Sequence, residues 1–167
     1  NILDVVNLVQ YILGNGSIAS ECNADVNSDD IVNILDVVSI VQSILGNRAA
    51  DADMIEIYSD DSTVNMNANG YVGAIQMTLS HGSDFSIELT DNALVALYNT
   101  EENTTTLMIV VPESEELFTS SGYYDIDEVL VVNSEDYIQT IIEDSYLDID
   151  ENILTEFSLG FAYPNPF

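Results

Sequence analysis

One twelve-residue stretch of this chain carries oxygen-bearing side chains at a spacing that suits a hard metal ion. It begins at Asp25, ends at Asp36, reads DVNSDDIVNILD and leads directly into an apolar helical pattern. Calcium prefers six to eight oxygen ligands at about 2.3–2.6 Å, and a loop of this length can fold them around one point. The stretch therefore predicts a Ca²⁺ site. Its predicted ligands are the side chains of Asp25, Asn27, Asp29, Asn33 and Asp36 at positions 1, 3, 5, 9 and 12, and the backbone carbonyl of Ile31 at position 7.

The stretch departs from the usual calcium-loop pattern at two positions. Position 6, normally glycine because the chain turns sharply there, is Asp30. Aspartate tolerates a left-handed backbone better than most residues, so we expect the turn to form. Position 12 is Asp36 rather than glutamate. The other interpretation is an acidic turn in which Asp36 helps to cap the following helix.

The apolar segment after the loop occurs twice. Residues 1–15 read NILDVVNLVQYILGN and residues 33–47 read NILDVVSIVQSILGN, so twelve of fifteen positions are identical at an offset of 32. By this alignment Asn1 and Asp4 stand at loop positions 9 and 12 of a first copy whose earlier positions are missing. We therefore expect the chain to be a fragment. We expect Asn1 and Asp4 to bind a metal ion only if the other oxygens come from elsewhere.

Two tandem loop–helix units with aspartate at position 12 resemble a dockerin, the calcium-dependent module that binds cohesin domains in extracellular bacterial assemblies. The resemblance implies a small all-α domain over residues 1–48, truncated at its N-terminus. It also implies partner contacts at loop positions 10 and 11 and in the middle of each helix. Those residues are Ile2, Leu3, Val9 and Gln10 in the first copy and Ile34, Leu35, Val41 and Gln42 in the second.

Each helical segment also carries an apolar stripe at i, i+4, i+7 and i+11, which adds Val6 and Val38 to the predicted partner-binding residues. A helix that is apolar on nearly all sides must be covered on nearly all sides. Two short helices do not cover each other that fully. We therefore predict that something else binds the stripe, either a partner chain or this chain's own β domain.

The composition is strongly acidic. The chain has 30 Asp and Glu residues against one Lys or Arg and one His, a formal charge of −29 at pH 7. This charge excludes a nucleic-acid binder, which needs a basic surface to replace counterions. It also repels the chain's own parts, so divalent cations should help the chain to stay compact. Because 47% of the residues are hydrophobic, the chain is not a disordered acidic tail.

After a connector at residues 49–53, the helical pattern gives way to short β-branched and aromatic runs separated by Gly, Asn, Asp and Ser. Several runs alternate with a period of two residues, which indicates strands. The fold class is therefore α+β, a small α module followed by an antiparallel β-sandwich over residues 54–160. The predicted strands are Met54–Tyr58, Thr63–Met66, Tyr71–Ser80, Phe85–Leu89, Leu94–Tyr98, Thr104–Val111, Glu128–Asn133, Tyr137–Ile142 and Glu156–Leu159.

Three of these runs, within 70–80, 85–89 and 106–111, together with a late strand at 129–133, resemble a divergent cohesin-like sandwich. A generic carbohydrate-binding or immunoglobulin-like sandwich is the alternative. The last residues, 161–167, end in YPNPF and resemble the start of the C-terminal sorting domain of type IX secretion substrates. That resemblance implies export to the surface of a Gram-negative bacterium. The alternative is that two prolines fix an extended tail.

Together these features predict a secreted, calcium-binding structural or interaction protein. Its partner would be the cohesin-like domain of another copy or of the same chain, so that copies assemble head to tail into an extracellular filament or cell-surface scaffold. We expect no enzymatic activity, because the chain has no lysine, one histidine (His81, which we interpret as a turn residue) and no nucleophile or phosphate-binding motif. The alternative is a non-catalytic accessory or anchoring region of a larger secreted hydrolase.

Two smaller predictions concern modification. Asn15 and Asn103 begin N-glycosylation sequons, and Ser62 lies in a short motif that resembles an O-glycosylation site of some Bacteroidota. Cys22 is the one cysteine, and it is either a partly buried free thiol or the partner of a cysteine in a missing segment or in another chain.

Overall fold

The computed structural model describes residues 1–46, 50–60 and 62–143. Within them three helices form: α1 (Ile2–Ile12), α2 (Glu21–Ala24) and α3 (Ile34–Leu45). The two long helices begin in the same way, because the repeated N-I-L-D sequence forms the same capping box twice. In α3 the side chain of Asn33 accepts the amide of Leu35 (2.7 Å), while Asp36 accepts the amide of Asn33 (2.9 Å). These contacts satisfy amides that the first helical turn leaves without partners.

Nine strands form two sheets in the described residues. The strands are β1 (Met54–Asp60), β2 (Thr63–Ala68), β3 (Ala74–His81), β4 (Ser86–Leu89), β5 (Ala93–Glu101), β6 (Thr104–Pro112), β7 (Glu116–Ser121), β8 (Tyr124–Val132) and β9 (Gln139–Glu143). One sheet has the order β4–β7–β2–β1–β9 and the other the order β5–β6–β3–β8. The predicted β-sandwich is confirmed. The prediction that it is antiparallel needs one correction, because β9 pairs with β1 in parallel.

The two sheets pack face to face around an apolar core. On β3 the inward positions are Ile75, Met77 and Leu79, all of them fully buried. They meet residues such as Ile57 and Phe118 from the opposite sheet. Buried and exposed residues alternate along these strands because successive side chains point to opposite faces of the sheet.

The helices form a third layer, because α1 and α3 pack on the outer face of the four-stranded sheet. Val9 and Val41 of the helices share a second apolar core with Met108 and Val110 of β6. Strand β6 is consequently covered on both faces, which explains its unbroken apolar run from Leu107 to Val111.

Strand β7 was not predicted, and its sequence shows why. Its two apolar residues, Leu117 and Phe118, are both fully buried, but serine, threonine and glutamate surround them. The strand is defined by its neighbours, β4 on one side and β2 on the other, where a bulge shifts the register after Val64. Helix α2, a single turn, was likewise not predicted within the segment that joins the two copies.

Some sequence predictions lie outside the described residues. These are the strand at Glu156–Leu159, the sorting tail at 161–167 and part of the connector at 49–53. The described part of the connector lies against the sandwich, since Ala50 and Ala52 exchange backbone hydrogen bonds with Tyr71 (2.8 and 3.0 Å).

Candidate calcium loop and helix-docking surface

The loop from Asp25 to Asp36 folds back on its own first residue. The carboxylate of Asp25 accepts the amides of Asp29 (3.1 Å) and Asp30 (3.0 Å), which curls positions 1 to 6 into a tight turn. Asp30 has a φ of 69°, so position 6 adopts the left-handed backbone expected there. Ser28 at position 4 has a φ of 62°. Aspartate and serine fill places where glycine would have no steric cost, and their adoption of this backbone supports the predicted loop geometry.

The middle of the loop is organised by two successive side-chain turns. Asn27 Oδ1 accepts the amide of Asp29 (3.1 Å), and Asp29 Oδ1 accepts the amide of Ile31 (2.9 Å). The Asn27 amide group also donates to Asp29 Oδ2 (2.9 Å), so the side chains at positions 3 and 5 lie side by side. Such turns bring oxygens at alternate positions toward one side of the chain.

Asp36 closes the loop from inside the protein. It is fully buried, and its Oδ1 accepts the amides of Val26 (2.7 Å) and Asn27 (3.2 Å) while its Oδ2 accepts the amide of Asn33 (2.9 Å). The three amides offset the loss of hydration that burial of a carboxylate entails. One residue therefore caps α3 and joins the start of the loop to its end. The capping interpretation of Asp36 is correct, and it is compatible with metal binding.

The two carboxylates at the ends of the loop keep acceptor positions that a hard cation could use. An ionised carboxylate offers about four acceptor positions, of which Asp25 uses two and Asp36 three in the contacts above. Within the part of the chain that the structure describes, no three His, Cys, Asp or Glu side chains gather closely enough to hold a metal ion by themselves. The predicted set is mixed, with two Asn side chains and the Ile31 carbonyl beside three carboxylates, and Ca²⁺ binding stays a prediction.

In the first copy, Asn1 and Asp4 form the same capping box. Asn1 accepts the amide of Leu3 (2.9 Å), and its own ammonium group lies 2.5 Å from Asp4 Oδ2. The side chains of Asn1 and Asp4 are 72% and 56% exposed. Among the described residues no three His, Cys, Asp or Glu side chains gather to hold a metal ion, so the role of Asn1 and Asp4 as metal ligands stays a prediction.

The stripe on the helices is covered by this chain's own sheet. Of the predicted partner-binding residues, Val9, Ile34, Val38 and Val41 are buried in the core that α1 and α3 share with the four-stranded sheet, and Val6 and Leu35 pack against it. Of the two open interpretations, the described fold shows the intramolecular one. Ile2 and Leu3 remain 40% and 66% exposed.

Two glutamines at equivalent positions differ in their contacts. Gln42 on α3 donates from its side chain to the carbonyl of Ser134. Gln10 on α1 makes no side-chain hydrogen bond within the described residues. On the α1 side two hydrogen bonds reach the sandwich. The Asn99 amide group donates to the carbonyl of Leu13 (2.9 Å), and the Asn15 amide group donates to the carbonyl of Tyr98 (3.5 Å). Asn99 was missed by sequence reasoning, because it lies one residue beyond the predicted strand Leu94–Tyr98 and carries no motif.

The turn at residues 133–137, between β8 and β9, was also missed as a contact site. Its Asn133 Oδ1 accepts the amides of Glu135 (2.8 Å) and Asp136 (2.9 Å). Partial burial, followed by the negative charge of Asp29 and then of Asp136, raises the pKa of Tyr137 above its ordinary value. The turn therefore lies within electrostatic reach of the loop. Its N-S-E-D sequence is a turn signal, but a turn signal does not reveal which distant segment the turn will meet.

The predicted modification sites are all exposed at their acceptor residues, namely Asn15, Asn103 and Ser62. In the second sequon, however, Thr105 is fully buried and its hydroxyl lies 2.8 Å from His81 Nε2. That histidine ends β3 and stacks on Phe85. Cys22 is exposed on α2 and forms no disulfide in the described residues. No helix among the described residues has the length and apolar character to cross a bilayer.

Comparisons with known proteins give little beyond the fold itself. No protein-family model matches the chain, and no curated protein sequence matches it significantly. Among solved structures, the chain is similar to a non-cellulosomal cohesin from the hyperthermophilic archaeon Archaeoglobus fulgidus. The identity is 13%, the TM-score is 0.36, and the match covers 57% of this chain and 86% of that chain. We rest nothing on a likeness at this level and infer function from this chain's own residues.

Proposed function

We propose that this chain is a secreted, calcium-binding structural protein in which a loop–helix module docks on a β-sandwich. The observation that carries the proposal is the loop at 25–36. Its backbone turns left-handed at position 6, and Asp25 and Asp36 at its two ends hold it closed through five backbone amides. This arrangement curls the loop so that the side-chain oxygens at positions 1, 3 and 5 lie near one another, as a calcium loop requires.

The docked helices supply the interaction half of the proposal. Each copy of the chain carries both an apolar helix pair and the sheet face that covers it. If the helices of one copy dock on the sheet of the next, the contact is heterologous, and it propagates as a filament unless the rotation closes a ring. The intramolecular arrangement is then the closed form of the same interface. Calcium would favour the assembly outside the cell, where it is abundant. The resemblance of residues 161–167 to a secretion tail supports that location.

Titration calorimetry of chelator-stripped protein tests calcium binding. We expect saturable binding with a Kd of about 10⁻⁴ M or tighter. Asp25→Asn should weaken it by roughly tenfold, because it removes one ligand charge and one of the two oxygens that accept the loop amides. Asp30→Asn is the matched control, since it makes the same change at a non-ligand position that tolerates asparagine. Absence of saturable binding in millimolar Ca²⁺ would overturn the assignment.

Assembly is tested separately by mass photometry over a range of protein concentrations, with and without Ca²⁺. The expected result is a ladder of oligomers that grows with concentration and shrinks on addition of chelator. A monomer under every condition would refute the filament and leave calcium binding untouched.

A further inference from the structure

The chain contains two Asn-Gly dipeptides, Asn15-Gly16 after α1 and Asn69-Gly70 after β2. In such a pair the asparagine side chain can react with the next backbone nitrogen, because glycine has no Cβ to hinder the approach. All four residues are exposed. Exposure therefore does not distinguish the two pairs, and a difference in their reactivity has to come from how firmly each one is held.

The side chain of Asn69 is held by three hydrogen bonds. Its Oδ1 accepts the amides of Asp53 (3.1 Å) and Met54 (3.3 Å), and its Nδ2 donates to the carboxylate of Asp53. The backbone beside it is crowded, since a Cβ atom added to Gly70 would lie 2.6 Å from the carbonyl oxygen of Ala50. Reaction requires the side-chain carbonyl carbon to turn toward the Gly70 nitrogen and the backbone to close into a ring. These contacts oppose both movements.

The side chain of Asn15 makes a single long contact. Its Nδ2 donates to the carbonyl of Tyr98 at 3.5 Å, beyond the usual range of a hydrogen bond, and its oxygen accepts none within the described residues. In the same part of the chain the Gly16 amide donates no hydrogen bond. A Cβ atom added to Gly16 would lie 3.1 Å from the nearest neighbour, Gln10 Cβ, so the backbone has more room here than at Gly70. Both reacting groups at this pair can therefore move.

We propose that Asn15 is a site of spontaneous deamidation, and that the fold protects Asn69 from the same reaction. The Gly16 nitrogen loses its proton and attacks the side-chain carbonyl carbon of Asn15. A C–N bond forms, the bond to Nδ2 breaks, and Nδ2 takes up a proton and leaves as ammonia. Water then opens the cyclic imide at one of its two carbonyl carbons, which gives aspartate or isoaspartate. The sum consumes one water and releases one ammonia, without oxidant, cofactor or second protein.

The product weakens the junction between α1 and β5. The group that donated to the Tyr98 carbonyl becomes a carboxylate, which only accepts, so two oxygens then face each other. The new charge also stands next to Gly14, where an added Cβ atom would lie 3.8 Å from Glu101 Oε1. Like charges at this spacing repel. Deamidation also removes the asparagine of the first sequon, so a side chain that has reacted is lost as a glycan acceptor.

The reaction is tested by incubating the whole chain at mildly alkaline pH and measuring conversion of each asparagine by digestion and mass spectrometry. In the folded protein Asn15 should convert about tenfold or more faster than Asn69. In urea the fold is lost, and the two rates should lie within about twofold of each other, because both asparagines precede glycine. Equal rates in the folded protein, or no conversion of Asn15, would overturn the proposal. A difference that persisted in urea would also overturn it, since the flanking sequence would then be the cause.

Hydrogen exchange tests the effect on the helix. Asn15→Asp should speed exchange of the Gly14 amide, which donates to the Tyr11 carbonyl at the end of α1, by about threefold or more. Ser17→Asp is the control, because it adds the same charge two residues further on at an exposed position. Exchange at Gly14 in this control should match the unmodified chain. Equal exchange in Asn15→Asp and Ser17→Asp would overturn the proposed weakening of the α1 junction.

Discussion

The two copies of the N-I-L-D-V-V segment have nearly the same sequence and very different surroundings. Ile2 is 40% exposed and Ile34 is 1% exposed, although both are the first residue of a capped helix. Asp4 meets solvent and the chain's ammonium group, whereas Asp36 is fully buried among backbone amides. The second copy follows a complete loop, and that loop folds over the start of its helix.

The comparison teaches that a local sequence specifies the helix and its cap, while the burial of each side chain depends on the segments that pack against it. Residues at equivalent positions in the two copies are therefore natural controls for one another. The stability predictions below make each substitution in both copies. The difference between the two effects on stability then measures the contribution of the surroundings.

The largest difference is expected at the first helical position. Ile34→Ala should lower the free energy of unfolding by about 2–5 kcal/mol, because it empties a filled site in the core beneath the helices. Ile2→Ala should cost less than about 1 kcal/mol, since much of that side chain already meets water. Urea denaturation with chelator present measures both values without a contribution from bound metal. Equal losses would mean that the two copies are buried alike in solution.

The capping carboxylates come next. Asp36→Ala should cost about 2–3 kcal/mol, because it leaves the amides of Val26, Asn27 and Asn33 without their acceptor, and water reaches some of them. Asp4→Ala should cost about 0.5–1 kcal/mol, the usual contribution of a solvent-exposed cap. The same chelator-treated denaturation measures both. A small effect at Asp36 would show that the loop is held closed by other contacts.

The features that were predictable from the sequence are those set by short-range spacing. The calcium-loop pattern from Asp25 to Asp36 predicted a sharp turn at position 6, and Asp30 has a left-handed backbone there. The alternation within residues 71–80 predicted a strand, and β3 forms there with one fully buried face. Local spacing decides both, because side-chain direction repeats every two residues in a strand and the loop residues bond to their near neighbours.

The features that were missed depend on distant partners. Strand β7 exists because β2 and β4 flank it, and the parallel pairing of β9 with β1 joins segments more than 80 residues apart. The sequence pattern also did not decide whether a partner chain or the chain's own sandwich covers the apolar stripe on the helices. A stripe such as Val9 to Leu13 shows that a face must be covered. Nothing in the local sequence connects the helix to the strands that cover it, of which β6 is one.

A smaller difference is expected at the two glutamines. Gln42→Ala should cost about 1 kcal/mol, because it removes the hydrogen bond from α3 to the Ser134 carbonyl. Gln10→Ala should lie within about 0.5 kcal/mol of the unmodified chain, as surface changes usually do. Thermal denaturation of the pair at equal protein concentration makes the comparison. If Gln10→Ala proved the more damaging, α1 rather than α3 would be the helix that secures docking.

The smallest difference concerns two tyrosines, one near each copy. The pKa of Tyr11 is raised above 10.0 mainly by its hydrogen bond to Glu21, and that of Tyr137 is raised mainly by partial burial and then by the charge of Asp29. In both cases the folded state favours the neutral phenol. The associated stability is therefore present below pH 10 and is lost as the pH rises through the folded-state pKa.

Calcium should separate the two tyrosines. A cation in the loop offsets Asp29 and so lowers the pKa of Tyr137. The pKa of Tyr11 should not change, because it is raised by Glu21 and not by a carboxylate of the loop. Titration of the tyrosine ¹³Cζ resonances by NMR, assigned with Tyr11→Phe and Tyr137→Phe, measures each pKa with and without Ca²⁺. An equal shift at both residues would indicate general screening by salt, and an unshifted Tyr137 would mean that the cation does not bind beside the sandwich turn. A shift at Tyr137 alone would show that the cation binds in the 25–36 loop, beside the 133–137 turn.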